Sequence, residues 1–505
     1  MSALPALDTE RGVSLINILI LGLGVSGQAV LNFFKNQNQN QKYLNYKINI
    51  YDQTIPGSEK LLEPENLKKN QIIFASPGFD INGEILKKAR ELNIKISSDI
   101  DLFGELAELD QNIKIIGITG SNGKSTVTKM AFEMIQACGQ KVFMGGNIGT
   151  SPLDFLKGTD VDLELPPSLS LASPSACLSH KGRDDIHSYN AHHEIFYVLE
   201  ISSFQMEIAK NLKPTVGVFL NLSPNHLDRH KTMEIYGGLK QKLLDQSENQ
   251  VVLEGLRANT RFAPAPLDLD EKIKTFGLSQ GDFYLSPEGF LKYKDQDLIA
   301  QSDLANPEAH NVLNALAALA VIKTLNLDLE KACEVLKKYK PLPHRTQFVC
   351  EINGVKYIND SKATTIGATQ AALEGFSVSS PPLCPSAPPS GLSLPQGERR
   401  DPCQKKIILL LGGQSKGQDF KDLKNPVDLY AKQVFIFGQD KNLILESLKQ
   451  GILLENLEQA VNQAYLCAEP GDLVLLSPAC ASLDQFKNYE ERGEHFVGYV
   501  KKLAQ

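Results

Sequence analysis

The sequence has no apolar run long enough to cross a membrane. The longest candidate, INILILGLGV at 16–25, falls far short of the roughly 20 apolar residues that a bilayer-spanning helix needs. The first residues, MSALPALDTERGVS, also lack the basic segment and the following apolar segment of an export signal. We therefore expect a soluble protein that stays in the cytoplasm.

The sequence also lacks paired cysteines and an excess of positive charge. Its eight cysteines include no CxxC pair, a scatter that favours reduced thiols over a zinc site. The formal net charge of −7 argues against a nucleic-acid partner, because proteins that bind phosphate backbones usually carry a basic surface. Any phosphates that the chain binds are expected to belong to a small molecule.

Short apolar runs alternate with helical patterns along most of the chain. A length of 505 residues suggests about three domains at roughly 150 residues each. Cycles of the pattern open at NILILGLG, at IKIIGITG and, after Pro343, at GVKYINDS. Each cycle predicts strand–helix–strand units and a mostly parallel sheet. We predict three α/β domains in series, at 1–104, 105–341 and 342–505.

Two stretches rich in Pro and Ser, 163–192 and 377–404, interrupt this pattern. Neither has a periodic apolar face, so we predict surface insertions that are largely disordered. A metal site is the alternative to solvated loops for their cysteines and histidines, which are Cys177, Cys384, His180, His187 and His192.

The segment IIGITGSNGKST at 115–126 predicts a phosphate-binding loop. An apolar strand ends in glycines and enters a helix through Lys124 and Ser125, which would surround an anion with backbone N–H groups. Lys124 would reach the β- and γ-phosphates, and the Ser125 hydroxyl would bind Mg²⁺. The strict motif has a glycine where Ile118 stands. The loop is thus a variant of the motif, with a chance turn at a helix start as the alternative.

Polar residues follow the next predicted strands. Glu200 ends YVLE, and Asn221 and His226 lie in FLNLSPNHLDRH. Ligands of open parallel sheets bind at the carboxyl ends of strands, so Glu200 is a candidate Mg²⁺ ligand. Taken alone, Glu200 is equally compatible with a buried, hydrogen-bonded acid, and a structural role is the more common one for a histidine such as His226.

An earlier glycine loop, GLGVSG at 22–27, follows the first predicted strand. Asp52 closes the next strand, INIYD, as in the fingerprint of a dinucleotide site. The motif alone is a weak signal and leaves NAD or FAD open.

Several blocks of the sequence resemble one enzyme family. GITGSNGKST, LEISSFQME, NLSPNHLDRH and HNVLNALAAL are followed by LPHRTQFV, NDSKATT, LLGGQSKGQDF and LLSPACASLDQFKNYEERGEHF. Their order resembles that of the Mur ligases, and the last three blocks resemble the members that add D-glutamate. The resemblance covers the chain apart from the two insertions. It implies a Rossmann-like UDP-binding domain, a P-loop-type ATPase domain with a parallel sheet, and a C-terminal Rossmann-like α/β domain.

For ATP, the resemblance implies that the phosphates contact the loop residues Gly120, Ser121, Asn122, Gly123, Lys124, Ser125 and Thr126. Asn311 and Asn314 match positions near the adenine and ribose, and Arg345 and Asp360 match groups that reach ATP from the third domain. The implied catalytic residues are Lys124, Glu200, His226, Lys240 and Lys362. Two Mg²⁺ ions are implied, with Ser125, Glu200, His226 and a possible carbamate on Lys240 as ligands.

For the substrates, the resemblance implies that the early glycine loop holds the diphosphate and uracil of UDP-N-acetylmuramoyl-L-alanine. The matching positions are Gly24, Val25, Ser26, Asp52, Gln53, Ser76, Gly78 and Asn147. The implied D-glutamate positions are Ser202, Thr364, Lys416, Ser482, Leu483 and Tyr489. Three residues depart from the family pattern: Asn225 and Gln414 stand where acids are frequent, and Tyr489 where a phenylalanine occurs.

The implied reaction is amide formation through an acyl phosphate, by a monomer acting on small molecules. A ligase for another amino acid or for folate is one alternative, although the absence of a DNPR motif argues against the diaminopimelate- and lysine-adding members. An NAD-dependent oxidoreductase would leave GSNGKST unexplained. A nucleotide switch would not need Lys124, Glu200, Lys240 and Lys362 together.

Overall fold

The computed structural model describes residues 7–8, 13–39, 44–158, 194–223, 226–257, 272–307, 309–378, 406–415 and 419–504. The predicted insertion 163–192 lies outside these ranges, as do residues 379–404 of the second insertion, Asn225 and Lys416. The predicted apolar runs form strands of three sheets.

The first sheet is built around β2, whose apolar run is buried on both faces. Ile18 and Ile20 pack into one core and Leu19 and Leu21 into another, as expected for a central parallel strand. β2 pairs in parallel with β3 and β4, β4 pairs in parallel with β5, and β1 is antiparallel to β2. The strands are β1 Leu7–Asp8, β2 Val13–Leu21, β3 Leu44–Tyr51, β4 Ile72–Ala75 and β5 Lys95–Ser97, and the helices are α1 Val25–Gln39, α2 Pro64–Leu67, α3 Glu84–Glu91 and α4 Asp99–Ala107.

The middle sheet has the order β14-β13-β12-β11-β10-β9-β6-β8-β7 in the described residues. Its strands are β6 Ile113–Thr119, β7 Lys141–Gly146, β8 Ile195–Glu200, β9 Val216–Phe219, β10 Asn249–Leu253, β11 Ile273–Gly277, β12 Phe283–Leu285, β13 Phe290–Tyr293 and β14 Gln296–Ala300. Its helices are α5 Lys124–Ala137, α6 Ser203–Met206, α7 Leu227–His230, α8 Met233–Asp245, α9 Glu254–Arg257, α10 Ala309–Thr324 and α11 Leu329–Lys338. Pairing is parallel except between β12 and β13 and between β13 and β14.

The third sheet has the order β15-β16-β20-β17-β18-β19 and is parallel except for the β15–β16 pair. Its strands are β15 Gln347–Ile352, β16 Val355–Asn359, β17 Ile407–Gly412, β18 Ala431–Phe437, β19 Ile452–Leu453 and β20 Leu473–Leu476. Its helices are α12 Ile366–Val378, α13 Lys421–Tyr430, α14 Lys441–Leu448, α15 Leu457–Cys467 and α16 Tyr489–Leu503.

The first and middle sheets share a packed core through α4. Phe103 on α4 contacts Tyr197 on β8 with ring centroids 5.0 Å apart. A Cβ on Gly104 would lie 2.2 Å from the Asn211 carbonyl oxygen, so only glycine allows this close approach. The predicted boundary at residue 104 therefore falls inside a helix that packs on the middle unit, and the three-domain division remains a prediction.

The predicted α/β class with mostly parallel sheets is confirmed. The β12–β14 extension of the middle sheet, by contrast, is a feature that the sequence pattern did not predict. In the described part of the chain, no helix combines the length and the apolar character that crossing a bilayer requires.

Candidate nucleotide and ligation site

The loop between β6 and α5 has the shape of an anion-binding turn. Gly123 precedes the helix with φ 80°, a left-handed conformation that favours glycine. The Lys124 ammonium donates to the carbonyl oxygens of Gly120 at 2.9 Å and Ser121 at 3.0 Å. Burial lowers the pKa of Lys124. The lysine therefore lies over its own loop, where a phosphate would meet it.

A second loop, after β9, holds the phosphate loop in place. Asn221 accepts from the Asn122 backbone N–H at 2.8 Å and donates back to its carbonyl at 3.1 Å. The Ser121 hydroxyl donates to the Ser223 carbonyl at 3.0 Å. Sequence reasoning placed Asn221 at a strand end but assigned it no role, because these contacts join segments 99 residues apart.

Glu200, at the end of β8, lies beside the start of α5. Its carboxylate accepts from the Ser125 hydroxyl and, at 2.7 Å, from the Asn147 side-chain amide. Burial acts to raise the pKa of Glu200, but the charge of Lys124 and these hydrogen bonds outweigh it and the pKa is lowered. Glu200 is thus held as a carboxylate next to the hydroxyl that was predicted to share its metal ion.

Lys240 approaches the same loop from α8. Its side chain is only 1% exposed, and its ammonium donates to the Gly120 carbonyl at 2.8 Å and lies 4.4 Å from the centre of the Tyr236 ring. Burial, reinforced by the charge of Lys124, lowers the pKa of Lys240 well below its ordinary value. Lys240 is therefore not a solvated helix lysine.

The third unit places basic and acidic groups against this loop. An Arg345 guanidinium nitrogen donates to the Ser125 hydroxyl at 2.5 Å. Lys362 lies 3.7 Å from the centre of the Tyr489 ring, and burial lowers its pKa to about 8. Asp360 accepts from the Thr346 N–H at 3.1 Å and the Ser477 hydroxyl at 2.9 Å, and burial raises its pKa to about 7.

A cleft of about 1270 Å³ joins the middle and third units. Its lining includes predicted nucleotide, catalytic and substrate residues, namely Ser121, Asn122, Gly123, Lys124, Ser125, Thr126, Asn147, Glu200, His226, Asn311, Asn314, Arg345, Asp360, Lys362, Thr364 and Tyr489. Among described residues, Gly120, Lys240, Ser202, Ser482 and Leu483 are not part of this lining. Gly120 begins the phosphate loop, Lys240 contacts its carbonyl oxygen from α8, and Ser202 caps α6 through Gln205.

The predicted UDP-binding residues, except Asn147, which lies in the cleft beside Glu200, form a separate group at the carboxyl ends of β2, β3 and β4. Asp52 accepts from the Leu23 N–H of the glycine loop at 2.7 Å and from the Thr54 hydroxyl at 2.6 Å. These bonds, with that of Thr54 first, lower the pKa of Asp52 to about 2. Ser76 donates to the Gly22 carbonyl at 3.0 Å. Gly24, Val25, Gln53 and Gly78 are exposed at this edge, and Ser26 is half-buried.

His226 lies at the rim of the cleft in a strained conformation. Its φ is 54°, which is uncommon for a residue other than glycine, and its ring packs 4.7 Å from that of Phe204. Backbone strain of this kind clusters at functional sites. In the described residues no group of three or more His, Cys, Asp or Glu side chains forms a preassembled metal site, so a cation here would depend on the Ser125 hydroxyl and on phosphate oxygens as well.

The fold and the site define a phosphate-loop protein whose third α/β unit completes the nucleotide cleft. Two family models match, the Mur ligase middle domain at residues 118–322 and the Mur ligase glutamate ligase domain at residues 396–480. The chain is 32% identical to the UDP-N-acetylmuramoylalanine–D-glutamate ligase of Aliivibrio fischeri, over 97% of this chain and 98% of that one. It is 34% identical to the enzyme of the same name from Pseudomonas fluorescens, over 96% of this chain and 98% of that one. The chain belongs to the Mur ligase family.

Solved structures agree on the fold. The UDP-N-acetylmuramate–alanine ligase MurC of Thermotoga maritima matches with a TM-score of 0.53 at 16% identity, covering 97% of this chain and all of that one. A MurF ligase of the same organism, solved in complex with ADP, matches with a TM-score of 0.51 at 18% identity, covering 88% of this chain and 93% of that one.

Proposed function

We propose that this protein is an ATP-dependent ligase that joins D-glutamate to UDP-N-acetylmuramoyl-L-alanine in peptidoglycan precursor synthesis. The name of the relatives that match nearly the whole chain supports the choice of substrates. The structural observation that carries the proposal is the bond from Arg345 to Ser125. It brings the third unit to the place where the phosphate loop would present the γ-phosphate.

The cleft supports the two steps of such a ligation. The substrate carboxylate attacks the γ-phosphorus of ATP, which gives an acyl phosphate and ADP. Two anions must meet in this step, so the positive charges of Lys124, Arg345 and Lys362 lower its barrier by preorganised electrostatics. The neutral amine of D-glutamate then attacks the acyl carbon, loses a proton, and expels phosphate to leave the amide.

We assign Mg²⁺ to the Glu200 carboxylate and the Ser125 hydroxyl, with His226 and a carbamate on Lys240 for a second ion. Mg²⁺ prefers oxygen ligands and is usually bound through one or two carboxylates plus phosphate oxygens, and Glu200 and Ser125 fit this chemistry. Bound Mg²⁺ would neutralise charge on the reacting phosphates. Lys240 suits carbamylation because a buried amine with a lowered pKa is partly neutral, and only a neutral amine adds to CO₂.

We extend the proposal to the remaining residues and to the setting. The glycine loop with Asp52 and Ser76 would hold the UDP group, and Thr364, Ser482 and Tyr489 would surround D-glutamate. The predicted division into domains at 1–104, 105–341 and 342–505 would give one unit to each substrate. The protein would act as a monomer in the cytoplasm, which sedimentation and cell fractionation test.

The test is phosphate release with UDP-N-acetylmuramoyl-L-alanine and ATP, with and without D-glutamate. We expect release only with D-glutamate, and a loss of about a thousandfold in Lys124→Ala, a magnitude typical of removing a group that stabilises the transition state. Lys114→Ala is the matched control, because this lysine on β6 is paired with Glu194 at 3.6 Å. Release that depends on L-alanine or a diamino acid would overturn the choice of amino acid.

A further inference from the structure

Arg492, on the first turn of α16, is a charged residue with no exposed surface. Its exposure is 0%, and no carboxylate is among its hydrogen-bond partners in the described structure. Its Nε donates to the Ser361 hydroxyl at 2.9 Å, and its Nη2 donates to the carbonyl oxygens of Ser361 at 2.8 Å and Cys480 at 3.0 Å. Burying a cation is costly unless its donors are satisfied, and these three bonds offset part of that cost.

The first partner lies between two groups of the cleft. Ser361 stands between Asp360 and Lys362, and both of these residues line the cleft. The Ser361 hydroxyl also donates to the Tyr489 carbonyl at 2.8 Å. Arg492 therefore ties the segment that carries Lys362 to the start of the helix that carries Tyr489.

The second partner lies in the loop that leads to Ser482. Ala479 has a φ of 55°, a strained conformation for a residue with a side chain, and the bond to the Cys480 carbonyl holds the next residue. Ala481 and Gln414 exchange backbone hydrogen bonds of 2.9 and 3.0 Å. Arg492 is thus linked, through Cys480 and Ala481, to the loop that follows β17.

The remaining guanidinium nitrogen packs at the same junction. Among described atoms, Nη1 is buried and has no hydrogen-bond acceptor. A Cβ added to Gly413 would lie 3.3 Å from Nη1 and 2.2 Å from the Ala481 carbonyl oxygen. Burial lowers the pKa of Arg492 to about 10, so the group is still a cation at neutral pH. One positive charge lies where three loops meet.

We propose that Arg492 is a positioning residue for the amino-acid substrate, because its guanidinium fixes the segment of Lys362, the loop of Ser482 and the turn at Gly413 relative to one another. The inference rests on the proposed function, in which these loops surround the amino acid. None of the Arg492 hydrogen bonds reaches the phosphate loop at 120–126, so we expect a stronger effect on the amino acid than on ATP.

The test compares Michaelis constants for the three substrates in Arg492→Met, Arg492→Lys and Ser361→Ala. We expect the KM for the amino acid to rise about tenfold or more in both Arg492 variants, as for the loss of hydrogen bonds to a charged group, and less in Ser361→Ala. Lysine keeps the charge but cannot make the forked contact. The KM for the UDP-substrate, whose predicted site lies at the first sheet, should stay within about twofold, and the KM for ATP should rise less than the KM for the amino acid.

Phe496→Leu is the control, because Phe496 is a fully buried residue of the same helix with no part in these bonds. It should lower the melting temperature without changing the KM for the amino acid. If it raises that KM as much as the Arg492 variants do at an equal loss of stability, Arg492 is structural only and the proposal fails. If the unaltered protein uses an amino acid other than D-glutamate, the KM is measured for that amino acid instead. A wrong amino acid in the proposed function is then not mistaken for a failure of the role of Arg492.

Discussion

The ammonium of Lys362 lies 3.7 Å from the centre of the Tyr489 ring, at the wall of the cleft. A cation at this distance is attracted by the negative face of the ring. Because burial has removed water from Lys362 and lowered its pKa to about 8, the ring offsets part of the lost hydration. Tyr489, one of the three positions at which the sequence departs from the family pattern, is therefore in contact with a predicted catalytic group.

The first prediction concerns the ring itself. Tyr489→Phe keeps the aromatic face, so we expect kcat within about twofold of the unaltered protein. Tyr489→Leu removes the face and should lower kcat by about 2–30-fold, since a cation–π contact contributes about 0.5–2 kcal/mol. Steady-state phosphate release measures both, and a leucine variant as active as the phenylalanine variant would contradict the role of the ring.

The second prediction is an alkaline loss of activity governed by Lys362. With a pKa of about 8, Lys362 is charged below pH 8 and loses its proton as the pH rises through that value, so kcat/KM should fall there. Lys362→Arg should shift the fall to higher pH, because guanidinium stays protonated. The profile of kcat/KM against pH reports groups of the free enzyme. If the alkaline fall in kcat/KM is unchanged in the arginine variant, that fall is caused by another group and the prediction is wrong.

The third prediction is that Asp360 destabilises the protein as the pH rises. Its pKa is raised from 3.8 to about 7 by burial, so the folded state binds a proton that the unfolded state has released between these values. By linkage, the stability from this group is present below pH 4 and is lost as the pH rises to 7. We therefore expect Asp360→Asn to gain stability relative to the unaltered protein as the pH rises. From pH 4 to pH 8 the difference in the free energy of unfolding between the two proteins should change by on the order of 2–4 kcal/mol in favour of the variant.

Denaturant unfolding at pH 4, 6 and 8 measures this difference. Asparagine can keep the bond from the Thr346 N–H, and the Ser477 hydroxyl has a second partner in the Thr369 hydroxyl at 3.1 Å. A difference between variant and unaltered protein that does not change with pH would show that folding leaves the pKa of Asp360 unchanged and would contradict the prediction.

The strand ends were the most predictable part of the site, for a physical reason. Strands buried on both faces, such as β6, β8 and β17, produce continuous apolar runs, and the residue that closes each run lies at the ligand edge of the sheet. Glu200 was found in this way. The short strands β12–β14 are half exposed and left no such signal.

Side chains whose partners are distant in sequence were not predictable. Lys240 lies in a helix whose sequence reads as partly solvated, and only the fold shows that the helix turns this lysine towards Gly120, 120 residues away. Arg492 reads as one of several charged residues in YEERGEHF, and its partner Ser361 is 131 residues away. The family resemblance supplied Lys240 as a candidate, whereas Arg492 lies in a block that resembles the family but was assigned no role.

The fourth prediction concerns Gly123. A Cβ there would lie 2.5 Å from the Asn314 side-chain oxygen, at a φ of 80°. Gly123→Ala should therefore weaken ATP binding by about tenfold or more, since left-handed alanine costs about 1–2 kcal/mol and the clash adds to it. Gly139→Ala is the control, because that glycine has φ 82° but open space around it. Calorimetric titration with an ATP analogue should show intact binding in the control, and equal loss in both variants would mean that strain alone is responsible.

The fifth prediction is a carbamate on Lys240. Its amine is buried, has a lowered pKa and bonds to a neutral carbonyl. Loss of one proton leaves a neutral amine, whose addition to CO₂ releases a second proton, so that an anion replaces a poorly solvated cation near Lys124. With ¹³C-bicarbonate we expect a carbamate carbon signal in the NMR spectrum that is absent from Lys240→Arg. Lys242→Arg is the matched control, because Lys242 lies on the same helix with a pKa that burial also lowers. A signal that persists in Lys240→Arg and disappears in Lys242→Arg would place the modification on the wrong side of the helix to bind a metal ion at the phosphate loop.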